Sequence, residues 1–477
     1  MASPVLRVAI DALIAALALG EPCVEGVRRL ATSTAAALLI ATAAPSASWV
    51  RRTLGRLAAG GGVFFHLRMA RRLAEAAAER AGDPGPVFYV DNHMRRYTGK
   101  RTLRKGWKMQ EKRAVPGTSD YYLHDEDGRP VGRVTAPDHG SLTEFLSPIA
   151  KALRFALGDE ETILLAFDRA GAFPEQMAEL RESGFEFVTY ERKPYQLLPV
   201  GSFTEKIVLD DEEYGLYESR TNLGKGRGRV RRLALRTADG RQVNLLAVST
   251  RPAAELVAIL RLRWNQENGF KHGVERWGIN QLDGRTVEPY EEGTVIPNPA
   301  RRRLDRALKL ARSREGQIRS ELARVEADSP RREQLDRDLA EAMEEQATLE
   351  AQRPSTPTKA PVEQTELAGK LVRHDPSYKF VVDTVRIACA NAESDLASDL
   401  GSHLPRAAEA KKTLANLLAA PGRVSVSRKS ISITLHPAGS QREREAFALM
   451  LGMVNRRRLI LPGDPERRPV RFCVSPE

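Results

Sequence analysis

TILLAFDRAGAFPEQMAELRESGFEFVTYE, residues 162–191, is the stretch on which the fold turns. An apolar run ends at Asp168, FPEQMAELRESG has the length and spacing of a short helix, and FEFVTYE returns to strand-like composition. Upstream, SLTEFLSPIAKALRFALG (141–158) reads as a longer helix. Before it, DYYLHDEDGRPVGRVTA (120–136) is a hairpin, with Asp127-Gly128 between two strand-like runs. VFYVDNHMRRYTG (87–99) alternates as a strand that reaches or passes Asp91, and Asp83-Pro-Gly-Pro punctuates the chain just before it. The order is βββαβαβ, an α/β arrangement with an aspartate in its first strand and another at the end of its fourth.

Downstream, residues 192–250 read as a β-rich insertion, with LLPVGSFTEKIVL, GRVRRLALRTA and RQVNLLAVST as strands and Asp239-Gly240 as a turn. NLGKGRGRVRR within it carries Lys225, Arg227, Arg229, Arg231 and Arg232 among three glycines. Such a loop can follow a DNA backbone, or be a solvated hairpin tip. RPAAELVAILRLRWNQENGFKHG (251–273) then reads as a helix, with Pro252 at its start and Leu256, Ile259, Leu260 and Phe270 on one stripe. Arg263, Glu267 and Lys271 are four residues apart, and could be no more than a surface ladder of ion pairs. Yet Asp91, Asp168 and Glu267 together offer two strand-end carboxylates and one from a helix, a plausible oxygen cage for Mg²⁺.

The βββαβαβ order belongs to the ribonuclease H-like fold, which sets the two aspartates on neighbouring strands. RWNQENGFK resembles the signature around the last catalytic acid of the DDE transposases of bacterial insertion sequences, in the group called YREK. FYVDNHMRRYTGK resembles that group's first-aspartate strand, with Asn92 where glycine is common, and LLAFDRAGAFPEQMAEL resembles the second-aspartate strand and its helix. Leu260 stands at the tyrosine of the signature, and the resemblance covers about residues 85–285. It implies a catalytic set of Asp91, Asp168 and Glu267 holding two Mg²⁺ ions, for which Mn²⁺ can substitute. Asp91 would bridge both ions. It also implies DNA cleavage and strand transfer at terminal inverted repeats and target DNA, and a homodimer on double-stranded DNA. Arg263 and Lys271 would contact phosphate or support the acids, with Trp264 beside them; otherwise they only neutralise Glu267 and the tryptophan is core. His93 could orient a metal ligand or water, or simply be a hydrogen-bonding strand residue. Two other readings remain open, a catalytically inactive DNA-binding descendant and a structure-selective nuclease on the same fold.

Length and charge fit this picture. A chain of 477 residues exceeds the size at which single cores stop growing, and 74 Lys and Arg against 62 Asp and Glu leave it at +12, which favours a polyanionic partner. Cys23, Cys389 and Cys473 stand far apart, against a disulfide scaffold or zinc site and in keeping with a cytoplasmic, nucleoid-associated protein. VAIDALIAALALG near the start is short and interrupted by Asp11, so it reads as a core helix rather than a membrane span. Residues 1–83 are expected to be helical, in the pieces VEGVRRLA, TSTAAALLIAT and SASWVRRTLGRLA. They form either a helix-turn-helix that offers Arg51, Arg52 and Arg56 to DNA or a plain bundle. Residues 84–285 would be the catalytic part. At 300–350, Leu304, Leu308, Ala311 and Ile318, then Leu335, Leu339 and Ala342, predict a coiled-coil hairpin, folded on itself or paired with another subunit. A Pro-rich linker at 351–363 leads to an α+β region over 364–477, where SVSRKSISITLHP reads as one strand.

Overall fold

A computed structural model describes residues 4–30, 43–209, 211–224, 226–326, 329–461 and 464–475, apart from the side chains of Gln110, Pro137, Trp264, Asn265 and Glu267. The expected helix TSTAAALLIAT and Lys225 lie outside the described residues. The architecture is mixed α/β, in two compact units: Met1–Tyr97 with Lys105–Arg285 and Asp375–Glu477, and Thr98–Arg104 with Thr286–His374.

The first unit is built on a large mixed sheet. Strand β1 (Val87–Arg96) is antiparallel to β3 (Arg113–His124), which also pairs with β2 (Lys105–Lys108) and β4 (Pro130–Ala136). On its other side β1 is parallel to β5 (Leu164–Phe167), and β5 to β6 (Glu186–Tyr190). Helices α3 (Leu142–Leu157) and α4 (Pro174–Glu182) make the two connections. A reciprocal capping box between Ser141 and Glu144 starts α3, and Pro174 sits in the first turn of α4, where its missing N–H costs nothing.

Strand β5 is apolar at every position because it is buried on both faces. Phe88, Val90, Leu165, Phe167 and Phe187 meet Leu146, Ile149, Leu153 and Met177 of α3 and α4. Tyr89, Leu164, Ala166, Val188, Leu233 and Leu245 meet Leu256, Val257 and Leu260 of α5 (Ala253–His272). The β-rich insertion continues this same sheet past β6, through β10 (Gln242–Val248), β9 (Arg229–Arg236), β8 (Glu212–Asn222) and β7 (Glu205–Leu209). It supplies four strands where three are expected from the sequence. The additional one, β8, buries only Leu216, so its pattern lacks the alternation that marks a strand.

The second unit holds the hairpin of helices α6 (Pro299–Leu322) and α7 (Pro330–Gln352). It folds back on itself: Ile318, Leu335 and Ala342 share one core, and Arg312 pairs with Glu350 at 2.8 Å across it. Asn298 and Ser329 cap the two helices by accepting from Ala300 N and Arg331 N. The Pro-rich segment expected to be a linker contains β13 (Lys359–Pro361), which pairs with β12 (Val295–Pro297). Strands β11 (Val287–Pro289) and β14 (Val372–His374) pair likewise.

The chain then returns to the first unit as α8 (Ser377–Gly401) and α9 (Ala410–Leu418). A small sheet follows, formed by β15 (Gly422–Val426), β16 (Ile431–Leu435) and, after α10 (Gln441–Arg456), β17 (Val470–Val474). The run SVSRKSISITLHP is therefore a hairpin rather than one strand. The turn lacks Gly or Pro and is held instead by Ser427 Oγ, which accepts from Lys429 N at 3.2 Å and Ser430 N at 3.0 Å.

Helix α1 (Pro4–Ala18) buries Ala9, Ala12, Leu13, Ala16 and Leu17. Ser46 caps α2 (Ala47–Ala81), which runs on past the expected piece SASWVRRTLGRLA and through Gly60, Gly61 and Gly62, with only Gly61 leaving helical geometry. At Gly62 the backbones come close, since a Cβ there would stand 3.3 Å from the Ser377 carbonyl of α8. Beneath α8 lies a closed set of charges. Arg95 of β1 and Arg133 of β4 both meet Asp120 of β3, the latter pair at 2.9 Å. Arg133 also meets Asp383 at 2.8 Å, and Asp383 accepts from Lys379 and Arg386 at 2.9 Å each. Arg386 reaches Asp283 at 2.8 Å. All seven side chains are 2 % exposed or less. Burial pushes the Asp383 carboxyl up, but Lys379, Arg133 and Arg386 outweigh it and hold it far below the usual range. Burial brings Lys379 down to about 8. Removing one partner from such a set strands the others in a medium of low dielectric, so Asp383→Ala should cost about 3–5 kcal/mol in chemical denaturation. A loss under about 1 kcal/mol would mean that the set does not hold α8 to the sheet.

Candidate functional site

Register decides how the expected acids meet. Val90 of β1 is paired with Phe167 of β5, and Phe167 with Thr189 of β6. The next residues, Asp91, Asp168 and Tyr190, therefore fall at one level across three adjacent strands, spaced roughly 4.8 Å apart. Both acids are partly exposed, Asp91 at 26 % and Asp168 at 41 % of the side chain. Asp168 caps the short turn Arg169–Gly171 by accepting from Arg169 N at 2.7 Å. Asp91 accepts from Asn92 N at 2.8 Å, and its Oδ2 faces Arg263 Nη1 of α5 at 3.3 Å.

Helix α5 is seated on the sheet by polar contacts as well as apolar ones. The Gln266 amide nitrogen is 2.9 Å from His124 Nδ1 and 3.4 Å from the carbonyls of Tyr89 and Tyr122. Phe270, one turn on, stacks on His93 with ring centroids 5.0 Å apart. The backbone of Glu267 lies in this helix one turn beyond Arg263, between the residues that touch β1. The side chains of Glu267 and Trp264 lie outside the described residues. Among the described residues no group of three metal-ligating side chains is gathered. Asp91 and Asp168 offer oxygen donors only, the set that a hard divalent cation takes. The guanidinium of Arg263 on Asp91 marks the same spot as one that attracts positive charge.

Three residues beside the acids are absent from the expectations drawn from the sequence. Tyr190 ends its strand at the level of Asp168, and the guanidinium of Arg169 lies 5.9 Å from its ring centre. Burial pushes the Tyr190 hydroxyl up, Arg263 pulls against that and Asp168 adds to it, with Arg169 and Arg261 contributing further positive charge. The sequence did carry a signal: FEFVTYE ends one residue past Tyr190, much as TILLAFD ends on Asp168.

The other basic residues are scattered in role. Arg231 is bound to Glu218 at 2.8 Å and to the carbonyls of Ser249 and Arg251, and Arg232 to Glu191, so both are occupied within the sheet. Arg227 meets Glu175 at 2.8 Å at the surface, and Arg229 is exposed. Arg51, partly exposed, pairs with Glu25, donates to the Asp283 carbonyl and lies over the Tyr378 ring, whereas Arg52 and Arg56 of the same helix are exposed. Lys271 is exposed near the end of α5. His93 is a packing residue, its Nε2 2.8 Å from Asn280 Oδ1 and its ring between Phe270 and Tyr122.

A family model described as "Transposase protein" matches residues 68–473, most of the chain. The chain belongs to this transposase family. DNA is accordingly a partner of the transposase. The match begins within α2 and ends in β17, so it takes in the acid row, the second unit, the first unit from residue 68 onward and nearly all of the small sheet. No match was found among curated proteins. Among the described residues no helix of the transposase is long and apolar enough to cross a membrane.

The seat of α5 is sensitive to acid. Burial lowers His93 to about 4 and His124 to about 3, from an ordinary value near 6.5. Each is neutral in the folded chain, so the unfolded chain binds the additional protons below pH 6.5. Their contribution to stability is present above pH 6.5 and is lost as pH falls towards 4 and below. Thermal midpoints measured from pH 7 to 4.5 should therefore decline, and in His124→Gln the decline should be smaller by roughly 2 °C or more. An identical decline in the variant would remove His124 from the account.

Proposed function

We propose that the chain is a DDE-type transposase of the YREK-signature group, with a ribonuclease H-like catalytic core, which cuts DNA strands and transfers the freed ends to target DNA. One observation carries the reading: Asp91 and Asp168 stand side by side on neighbouring parallel strands, beneath the helix that bears Arg263 and Glu267. The strand order supports the core assignment, with an antiparallel β1–β3–β4 half beside the parallel β1–β5–β6 half. In this reading Asp91, Asp168 and Glu267 would hold Mg²⁺, or Mn²⁺ in its place, and the bound ions would supply charge stabilisation to the oxygens of the phosphoryl group being transferred.

The chain's own part is positioning and charge. Arg263 neutralises Asp91 and, one turn from Glu267 on α5, can donate to a DNA phosphate brought to the row. Arg169 and Arg261 add positive charge beside the row, in which the half-buried Tyr190 takes the third place. Lys271, Arg229, Arg52 and Arg56 are exposed cations that can take further phosphates of the element end or the target. The acting species in this reading is a homodimer on double-stranded DNA.

Asp91→Asn, Asp168→Asn and Glu267→Gln should each lower Mg²⁺-dependent end cleavage by at least about 100-fold, while duplex binding in EDTA changes by no more than about twofold. Cleavage that persists in one of them removes that residue from the site. Cleavage absent from the unaltered chain, with no thermal shift on adding Mg²⁺ or Mn²⁺, would leave a DNA-binding descendant without catalysis.

A further inference from the structure

The small C-terminal sheet has one face spoken for and one open. Its register aligns Val424, Ile433 and Phe472 in one row and Gly422, Leu435 and Val474 in another. Leu435, Phe472 and Val474 pack on the core formed by α8, α9 and α10. Alternation then sends the intervening residues outward, Arg423 with Thr434 and Cys473, and Ser425 with Ser432 and Arg471. Arg423, Ser425, Arg471 and Cys473 are exposed, and the central Ser432 and Thr434 are half-buried between them. The six positions carry two guanidiniums, three hydroxyls and no carboxylate. The turn between β15 and β16 adds Arg428 and Lys429, both exposed.

A solvated sheet face would be expected to mix charges of both signs. This one is uniformly cationic, and its hydroxyls lie between the two arginines, which stand roughly 12 Å apart on the diagonal of the sheet. Arginines flanking Ser and Thr hydroxyls are the donor set that takes phosphate oxygens without reading bases. The face offers no aromatic platform, so stacking on unpaired bases has nothing to act on.

We propose that the outer face of β15–β16–β17 is a docking surface for the phosphate backbone of duplex DNA, separate from the acid row. The proposal rests on the chain's handling of DNA, which the family supplies, and on charge complementarity, but not on the DDE chemistry. The surface holds duplex by its backbone and adds affinity without sequence preference.

The test uses the full chain and a labelled duplex in EDTA, read by fluorescence anisotropy across a salt series. Arg423→Glu with Arg471→Glu should weaken binding by about tenfold or more. Arg423→Gln with Arg471→Gln should reduce the slope of log K against log salt by about 2, one phosphate being lost per arginine. Should the glutamate pair lower the thermal midpoint, the glutamine pair decides. Binding within about twofold and an unchanged slope in the glutamine pair overturn the proposal. So does a loss seen with single-stranded RNA but not with duplex DNA. If the unaltered chain does not bind duplex DNA at all, the DNA reading itself falls, which is a different result from an unaltered chain that binds and a variant that binds equally.

Discussion

The buried set of seven charges is the constraint that the first unit depends on. Four cations and three carboxylates are withdrawn from water, and a desolvation cost of several kcal/mol for each ion is recovered only if every partner is in place. Such a set acts less as glue than as a specification. It admits one arrangement of β1, β3, β4 and α8, because a shift by one residue in any of them would bury a charge without its partner. His66 of α2 shows the same logic. The ring is neutral, its Nδ1 2.9 Å from Thr384 Oγ1 of α8 and its Nε2 against the Arg133 backbone of β4. Burial holds its pKa at about 4, which keeps it so.

One face of β1 carries this constraint to the acids. Tyr89, Asp91, His93 and Arg95 alternate onto the same side of the strand. Tyr89 lies in the core under α5, Asp91 meets Arg263, His93 stacks on Phe270, and Arg95 enters the charge set. At the other end of α5, His272 and Arg276 bind Glu393 of α8 at 2.7 and 3.0 Å, and Arg276 also takes the carbonyls of Leu17 and Ala18. The helix that bears Arg263 and Glu267 is thus held by β1 along its length and by α8 at its end. Preorganisation of this kind is what an electrostatic site requires, since the groups need no rearrangement when charge develops.

What could be read from the chain was what short-range pattern controls. The apolar run Leu164–Phe167, the Ser141–Glu144 capping box and the heptad-like leucines of 304–342 each announce their element locally. The two aspartates could be placed because each belongs to an apolar strand of ordinary composition. Register could not be read, so Tyr190 was not linked to them although it completes their row. The charge set lies further from view: Asp120 and Asp383 are 263 positions apart, and an aspartate on an amphipathic helix looks like any solvated one. Arg51 is the reverse case, a cation on a basic helix whose partners, Glu25 and the Asp283 carbonyl, nothing local announces. The turn at Arg428 and Lys429 was hidden because serine hydroxyls do the work more often done by glycine or proline.

The return of α8 to the first unit has a consequence for biosynthesis. The charges on β1, β3 and β4 leave the ribosome some 250 residues before Lys379, Asp383 and Arg386, and residues 286–374 emerge in between. Until then Arg95 and Arg133 share Asp120 alone, and the end of the sheet formed by β1, β3 and β4 lacks the partners that α8 brings. The α6–α7 hairpin, with its contacts close in the chain, can form during that interval. A truncated product ending before α8 would therefore carry the whole large sheet but an unfinished charge set, with two arginines sharing one carboxylate, a substrate for chaperones and proteases rather than a smaller enzyme.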